Sequence, residues 1–402
     1  MKMGWKIKTL GDVCDVVNGG TPKTGVPEYW GGSHLWITPA EMGKRLSPYV
    51  DDTERKLTDL GLRDSSARML PPNSVILSSR APIGYLVINT KPMSTNQGCK
   101  GLIPGKHLEH KFLYYYLNSI VDFLNSLGTG ATFNELSGGK LKEVEFPVAP
   151  LPEQQRIVTI LDEAFAAITT AKANAEKNLQ NAGAIFESYL QSVFSKRGLG
   201  WMEKPLADLC DIKHGFAFKS EFFINKGNYI VLTPGNFYES GGYRDRFEKQ
   251  KYYCGKILRD YVLEKGDLLV AMTEQAVGLL GSPIIVPESD KFLHNQRLGL
   301  VTKKPGVPWM NDFFFHVFNT QRVRKEIHDS ASGVKVRHTS PTKIGKVVVA
   351  FPTSLSEQRK IVSTLAELDK EIQLLESIYR QKLAALEELK KSLLHQAFIG
   401  EL

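Results

Sequence analysis

The residues able to do recognition chemistry come in pairs. Asn96-Gln97 in "STNQGC" is matched by Asn295-Gln296 in "LHNQRL". A side-chain amide bonds an adenine edge, or it bonds nearby backbone and fixes a turn; the same pair kept in both places favours the backbone bond. Arg80, after Ser79 in "SSRAPIG", stands where "MTEQAVG" has Thr273, Glu274 and Gln275. Arginine suits guanine while Glu or Gln suit cytosine or adenine, so a position that reads different bases is one expectation and a satisfied surface arginine is the other.

Two further loop pairs carry cations. "GGTPKT" (19–24) holds Thr21 and Lys23, and "HGFAFKS" (214–220), preceded by Lys213, holds Lys219. Either lysine suits a phosphate oxygen, and a Gly-led turn with a solvated lysine is the plain alternative. Their equivalent placement favours contact. "GTGATFN" (128–134), with Thr132, and "SGVKVRH" (332–338), with Lys335, Arg337 and His338, form the second pair, the latter basic enough for phosphate or base contact or for simple solvation.

Catalytic constellations are missing. The chain has no G-x-x-x-x-G-K-[ST] phosphate loop, no H-E-x-x-H and no G-x-S-x-G. His107 and His110 in "HLEH" are spaced like metal ligands, yet such an isolated pair reads as surface histidine. "LPPNS" (70–74) lacks the preceding Asn or Asp and the following aromatic that would clamp a flipped base. The aromatic runs "FLYYYLNS" and "FFFHVFNT" have helical spacing and read as core rather than as stacking platforms. The run "YRDRFEKQKYYCGKILRDY" (243–261) mixes acids with bases and reads as solvated surface.

These pairs belong to a repeat of the whole chain. "GWKIKTLGDVCDVVNGG" aligns with "GWMEKPLADLCDIKHGF", sharing Gly4/Gly200, Trp5/Trp201, Leu10/Leu206, Asp12/Asp208, Cys14/Cys210, Asp15/Asp211 and Gly19/Gly215. "WITPAEM" aligns with "VLTPGNF", and "LPEQQRIVTILDEAF" with "LSEQRKIVSTLAELD", about 200 residues apart. A repeat of this size implies duplicated domains. The plan is 1–150, a globular half; 151–198, a long helix; 199–352, a second half; and 353–402, a second helix.

Short apolar runs, "SVILSS", "YLVI", "DLLVAM" and "SPIIV", lie between Pro, Gly and Asn punctuation and predict strands. One helix per half is expected, over 111–124 and 309–327, giving an α+β fold. The long helices are expected over 152–196 and 356–398, with Pro152 at the first helical position, a Ser354/Glu357 capping box, and Gly198 and Gly400 at the ends. Leu161, Phe165, Ile168, Ala175, Leu179, Ala182, Phe186, Tyr189 and Val193 make one apolar seam, broken by Lys172. Leu365 to Leu393 make another with a slip near Leu389, so an antiparallel coiled coil and a pseudo-two-fold dumbbell are expected.

The 402 residues exceed what one core sustains, and 51 Lys plus Arg against 43 Asp plus Glu give +8, a mild excess suited to a polyanion. Four scattered cysteines, with no C-x-x-C, indicate neither zinc ribbon nor disulfide framework. The start lacks a signal peptide and no apolar run is long enough for a membrane helix, so a cytoplasmic chain, complete as written, is expected.

Along its whole length the chain resembles specificity subunits of type I restriction-modification systems. The resemblance rests on "LGDVCDVVNGGTP", "WITPAEM", "STNQG", "GATFNELS" and the doubled helix starts "FPVAPLPEQQRIV" and "FPTSLSEQRKIV". It implies a non-catalytic subunit with two target-recognition domains, each reading half of a split, asymmetric double-stranded DNA site. It further implies that the helices act as spacer and docking surface for two modification subunits, that these bring S-adenosylmethionine and methylate adenine, and that restriction subunits join in some assemblies. Two other readings stand beside it: a scaffold joining two protein-binding heads, and the reader of a fused methyltransferase. Binding that falls steeply with salt would favour DNA.

Overall fold

The computed structural model describes residues 4–130, 134–274 and 278–402, so Thr132 and Gln275 lie outside the described residues. By internal contacts the chain divides into two compact units, Met1–Glu176 with Arg380–Leu402, and Lys177–Tyr379.

The first head is built on a five-stranded sheet ordered Cys14–Asn18, Cys99–Pro104, Val75–Ser79, Ile83–Asn89, Tyr49–Val50. A smaller sheet sets Trp30–Ile37 between Arg55–Leu57, antiparallel, and Met93–Thr95, parallel. The "SVILSS" strand shows why its apolar run is unbroken. Successive side chains point to opposite faces, and here Val75 and Leu77 enter one core with Phe112 and Leu117 while Ile76 enters another with Ile37 and Met93. A strand covered on both faces has no polar side.

The second head repeats this. Leu268–Ala271 lies between Leu298–Lys303 and Pro283–Ile285. Leu268 and Val270 join the core around Phe313 and Phe314, and Leu269 and Ala271 join the one around Ile230 and Phe292. The chain enters each head on a strand paired with the strand that leaves it, Lys6–Thr9 with Glu145–Val148 and Trp201–Pro205 with Val348–Pro352.

Each head carries two consecutive helices where one was expected: His110–Ser119 then Val121–Leu127, and Asn311–Asn319 then Gln321–Asp329. The break falls at equivalent hydroxyl residues. Ser119 Oγ donates to Tyr116 O at 2.7 Å and Thr320 Oγ1 to Val317 O at 2.8 Å, diverting carbonyls from the helical ladder. Thr320 is extended and caps the next helix. Apolar periodicity continues across the break, which is why it hid the interruption.

The long helices run Leu151–Ser195 and Leu355–Ile399. In the first unit the start of the central helix packs beside the end of the C-terminal one, antiparallel: Ile157, Val158 and Leu161 share a core with Leu394 and Ala397. Lys172, the interruption in the seam, bonds Glu387 Oε1 at 2.6 Å. In the second unit the helix halves exchange roles, with Phe194 and Ile361 packed on that head's core. Leu389, at the slip, is 47% exposed.

The expected capping box does not form. Glu357 Oε1 instead accepts the Trp201 indole N–H at 2.9 Å, and Ser354 Oγ lies 2.8 Å from Ser356 Oγ. Gly400 ends the C-terminal helix in the left-handed region at φ 85, with Glu401 N–H donating back to Gln396 O at 2.9 Å. The central helix stops at Ser195, short of Gly198. Among the described residues no helix is long and apolar enough to cross a membrane, and no cluster of His, Cys, Asp or Glu is arranged to hold a metal.

Candidate nucleic-acid interface

In the first head the loop after the Cys14–Asn18 strand presses onto the turn of the Asn-Gln pair. A side chain on Gly19 would put its Cβ 2.0 Å from Asn96 O, and one on Gly215 would sit 2.3 Å from Asn295 O. This close approach accounts for the glycine in both repeats. Asn96 Oδ1 accepts the Gly98 amide at 2.8 Å, and Asn295 Oδ1 accepts the Arg297 amide at 3.0 Å. Both asparagines therefore hold the turn, while their neighbours Gln97 and Gln296 are exposed.

Thr21 joins the two loops, accepting from Asn96 Nδ2 at 2.9 Å and hydrogen-bonding Gln97 Oε1. Lys23 is exposed beyond it. Ser79 is fully buried at the end of its strand, its amide donating to Gly98 O at 2.7 Å. Arg80 follows at the rim, Nη1 3.7 Å from Glu135 Oε2. Lys100 lies close by, its pKa lowered by burial against the opposing pull of Glu135. Thr21, Lys23, Ser79, Arg80, Asn96 and Gln97 thus converge on one end of the head.

In the second head Lys213 Nζ sits 4.9 Å from the Tyr261 ring centroid, and Lys219 Nζ 3.7 Å from Glu221. Thr273 and Glu274 form a strand paired with Arg337 and His338. Thr273 Oγ1 is 3.2 Å from His338 Nδ1, and Arg337 Nη1 is 3.1 Å from His328 Nδ1. Glu274 is only 3% exposed, and its Oε2 accepts the Gly278 and Leu280 amides at 3.1 and 2.9 Å. It shapes the loop rather than facing outward. Lys335 and His338 are exposed.

Arg55 is not singled out by the sequence, and Lys251 lies in the 243–261 run expected to be solvated surface. Arg55 Cζ lies 3.5 Å from the Trp30 ring centroid, and Lys251 Nζ 5.4 Å from that of Phe223. Each ring is 25 to 28 residues from its cation in sequence, so only the strand register in space brings them together. For Arg55, a cross-strand match of the Trp30–Ile37 strand with Arg55–Leu57 is the signal that would have found it; for Lys251 the ring comes from the separate Phe223–Ile224 strand, which pairs with Tyr252–Tyr253.

The signature glutamines fasten the helices to the heads. Gln154, fully buried, donates to His107 O at 3.0 Å and Ala149 O at 2.7 Å and accepts from Glu109 N at 2.9 Å. Gln358, also fully buried, donates to Pro308 O at 2.7 Å and Pro352 O at 3.0 Å.

Together these features define a protein of two like α+β heads, each followed by a long helix and each presenting polar loops from the same framework. The chain belongs to the type I restriction modification DNA specificity domain family, whose model matches residues 2–179 and 199–383. It is 33% identical over 230 residues to the type I restriction enzyme MjaIX specificity subunit of Methanocaldococcus jannaschii, a match covering 52% of each chain. The chain thus spans about half the length of that relative. A solved chain from the type I R-M system, from work on its assembly and conformational transition, matches with TM-score 0.76 at 17% identity, covering 100% of this chain and 99% of that one. The HsdS subunit from Thermoanaerobacter tengcongensis matches with TM-score 0.67 at 17% identity, covering 100% and 98%. At that identity the likeness is one of fold.

Proposed function

We propose that this chain is the non-catalytic DNA specificity subunit of a type I restriction-modification complex, acting in the cytoplasm. Each head reads one half of a bipartite, asymmetric site. Residues 1–150 and 199–352 do the reading, and 151–198 and 353–402 form the spacer and dock modification subunits. The subunit itself needs no cofactor; S-adenosylmethionine belongs to the partner methyltransferase, and restriction subunits supply cleavage where present.

The observation that carries this reading is the doubled family match falling on two heads that present unlike loops from the same framework. Exposed Lys23 and Gln97 with half-buried Arg80 in one, and exposed Lys213, Lys219, Gln296, Lys335 and His338 in the other, supply phosphate and base contacts. Thr21, Ser79, Asn96, Thr273, Glu274, Asn295 and Arg337 hold these loops in shape. Thr132 and Gln275 complete the loop set by sequence.

The test is to co-express the chain with the modification subunit encoded beside it and map N6-methyladenine across the host genome. A new split motif with two unlike halves and a fixed unread gap is expected. A soluble, active complex that adds no sequence-specific methylation would instead support the scaffold reading.

A further inference from the structure

Arg55 is exposed, yet among the described residues its guanidinium has no hydrogen-bond or carboxylate partner. Arg45, Arg63 and Arg80 differ, standing 2.6 Å from Glu41, 2.8 Å from Asp64 and 3.7 Å from Glu135, while Arg68, exposed and also without a polar partner among the described residues, lies over no described ring. Arg55 is held only by rings, Trp30 at 3.5 Å and Trp36 at 5.3 Å, themselves packed edge-to-face at 5.0 Å. A guanidinium laid on an aromatic face keeps one plane while all its N–H edges remain free to donate. That is a donor fork set in place with nothing yet to bond.

The second head has the same device in a different chemistry. Leu35 pairs with Lys56 on one side and Met93 on the other, and Ile230 pairs likewise with Tyr252 and Phe292. The residue before Lys56 is Arg55, and the residue before Tyr252 is Lys251. Lys251 is also exposed, also on a ring, and also without a polar side-chain partner among the described residues.

Both cations lie beside the recognition loops. Trp36 Nε1 donates to Gly20 O at 2.9 Å and Trp30 Nε1 to Lys23 O at 3.4 Å, so the 19–24 loop rests on the two rings that hold Arg55. In the second head Phe218, from the 214–220 loop, packs 4.9 Å from Tyr253, which contacts Phe223 at 6.2 Å.

We propose that Arg55 and Lys251 are equivalent specificity-determining residues, one for each half-site, Arg55 presenting two donors to the O6/N7 edge of a guanine and Lys251 a single ammonium. This rests on the DNA-reading function above. Arginine is fit for the paired acceptors of guanine, whereas lysine at the same place reads with less geometric demand.

The experiment uses the complex of this chain with its modification subunits, and duplexes carrying the methylated motif with each half-site base pair changed in turn. Arg55→Ala is expected to weaken the parent duplex roughly ten- to hundredfold and to abolish the penalty at one G·C pair in one half-site only. Arg55→Lys keeps most of the affinity but weakens that discrimination to the looser level of a single ammonium, and Lys251→Ala acts on the other half-site alone. Because Arg55 is exposed and gives up only its contact with the two rings, the variant should stay folded and melt within a few degrees of the parent. Unchanged discrimination, or a loss equal on every duplex, overturns the inference. A parent complex with no sequence preference would overturn the DNA-reading function itself, a separate and distinguishable result.

Discussion

Tyr115 Oη donates to Asp162 Oδ1 at 2.5 Å, and Lys111 Nζ pairs with the same carboxylate, locking the first head's helix to the central helix. The repeat places His316 and Ala366 at these positions in the second head. No lock forms there. Instead a cavity of about 520 Å³ opens, lined by His316, Ala366, Phe186 and Asp369 among others. Grafting the first head's pair as His316→Tyr with Ala366→Asp should fill space and restore the bond. We expect the double variant to be more stable than the two single changes combined, by about 1 kcal/mol of coupling in a double-mutant cycle read by denaturant melts. Additive effects would show that the cavity is not the vacated lock.

Two histidines give the second head an acid limit. Burial lowers His294 and His316 from 6.5 to about 4. The unfolded chain takes up these protons near pH 6.5 while the folded chain resists until about pH 4, so stability is full above 6.5 and falls as pH drops through that window. Each histidine accounts for about 3 kcal/mol at the bottom of the window. His316→Phe should remove roughly half of the slope between pH 6.5 and 4, measured by thermal melts across pH; an unaltered slope would place the sensitivity elsewhere.

The E-Q signature has a structural basis that the energetics can test. All three bonds that Gln154 makes are to backbone groups, and Gln358 makes two while its buried Oε1 has no partner. Replacing Gln154 by Leu strands two carbonyls and an amide, at about 2 to 4 kcal/mol. Gln358→Leu strands only carbonyls and also removes an unsatisfied oxygen, so its cost should be the smaller. Equal losses in urea titrations would contradict this ordering.

Much of this architecture was legible because duplication writes every constraint twice. Gly19/Gly215 and the paired Asn-Gln turns mark close backbone contacts, and "LPEQ" with "LSEQ" marks the docking of a helix on a head. Strands such as Val75–Ser79 and Leu268–Ala271 were visible as unbroken apolar runs. The breaks at Ser119 and Thr320 were not, since a hydroxyl turning onto the carbonyl three residues back leaves hydrophobic spacing intact. Arg55 on Trp30 and Lys251 on Phe223 were hidden for another reason: strand register decides them, and register is not a property of either segment alone.

The tightest of the shared contacts separates reading from folding. Gly19 and Gly215 each face carbonyl oxygen at a distance no Cβ tolerates. Gly19→Ala must push the 19–24 loop off the Asn96 turn, displacing Thr21 and Lys23 while leaving the sheet's core untouched. We expect a moderate destabilisation of about 1 to 3 kcal/mol and a loss of preference confined to one half-site in the methylation map. Gly215→Ala should do the same to the other half alone. If either substitution degraded both halves equally, the two heads would not be reading independently.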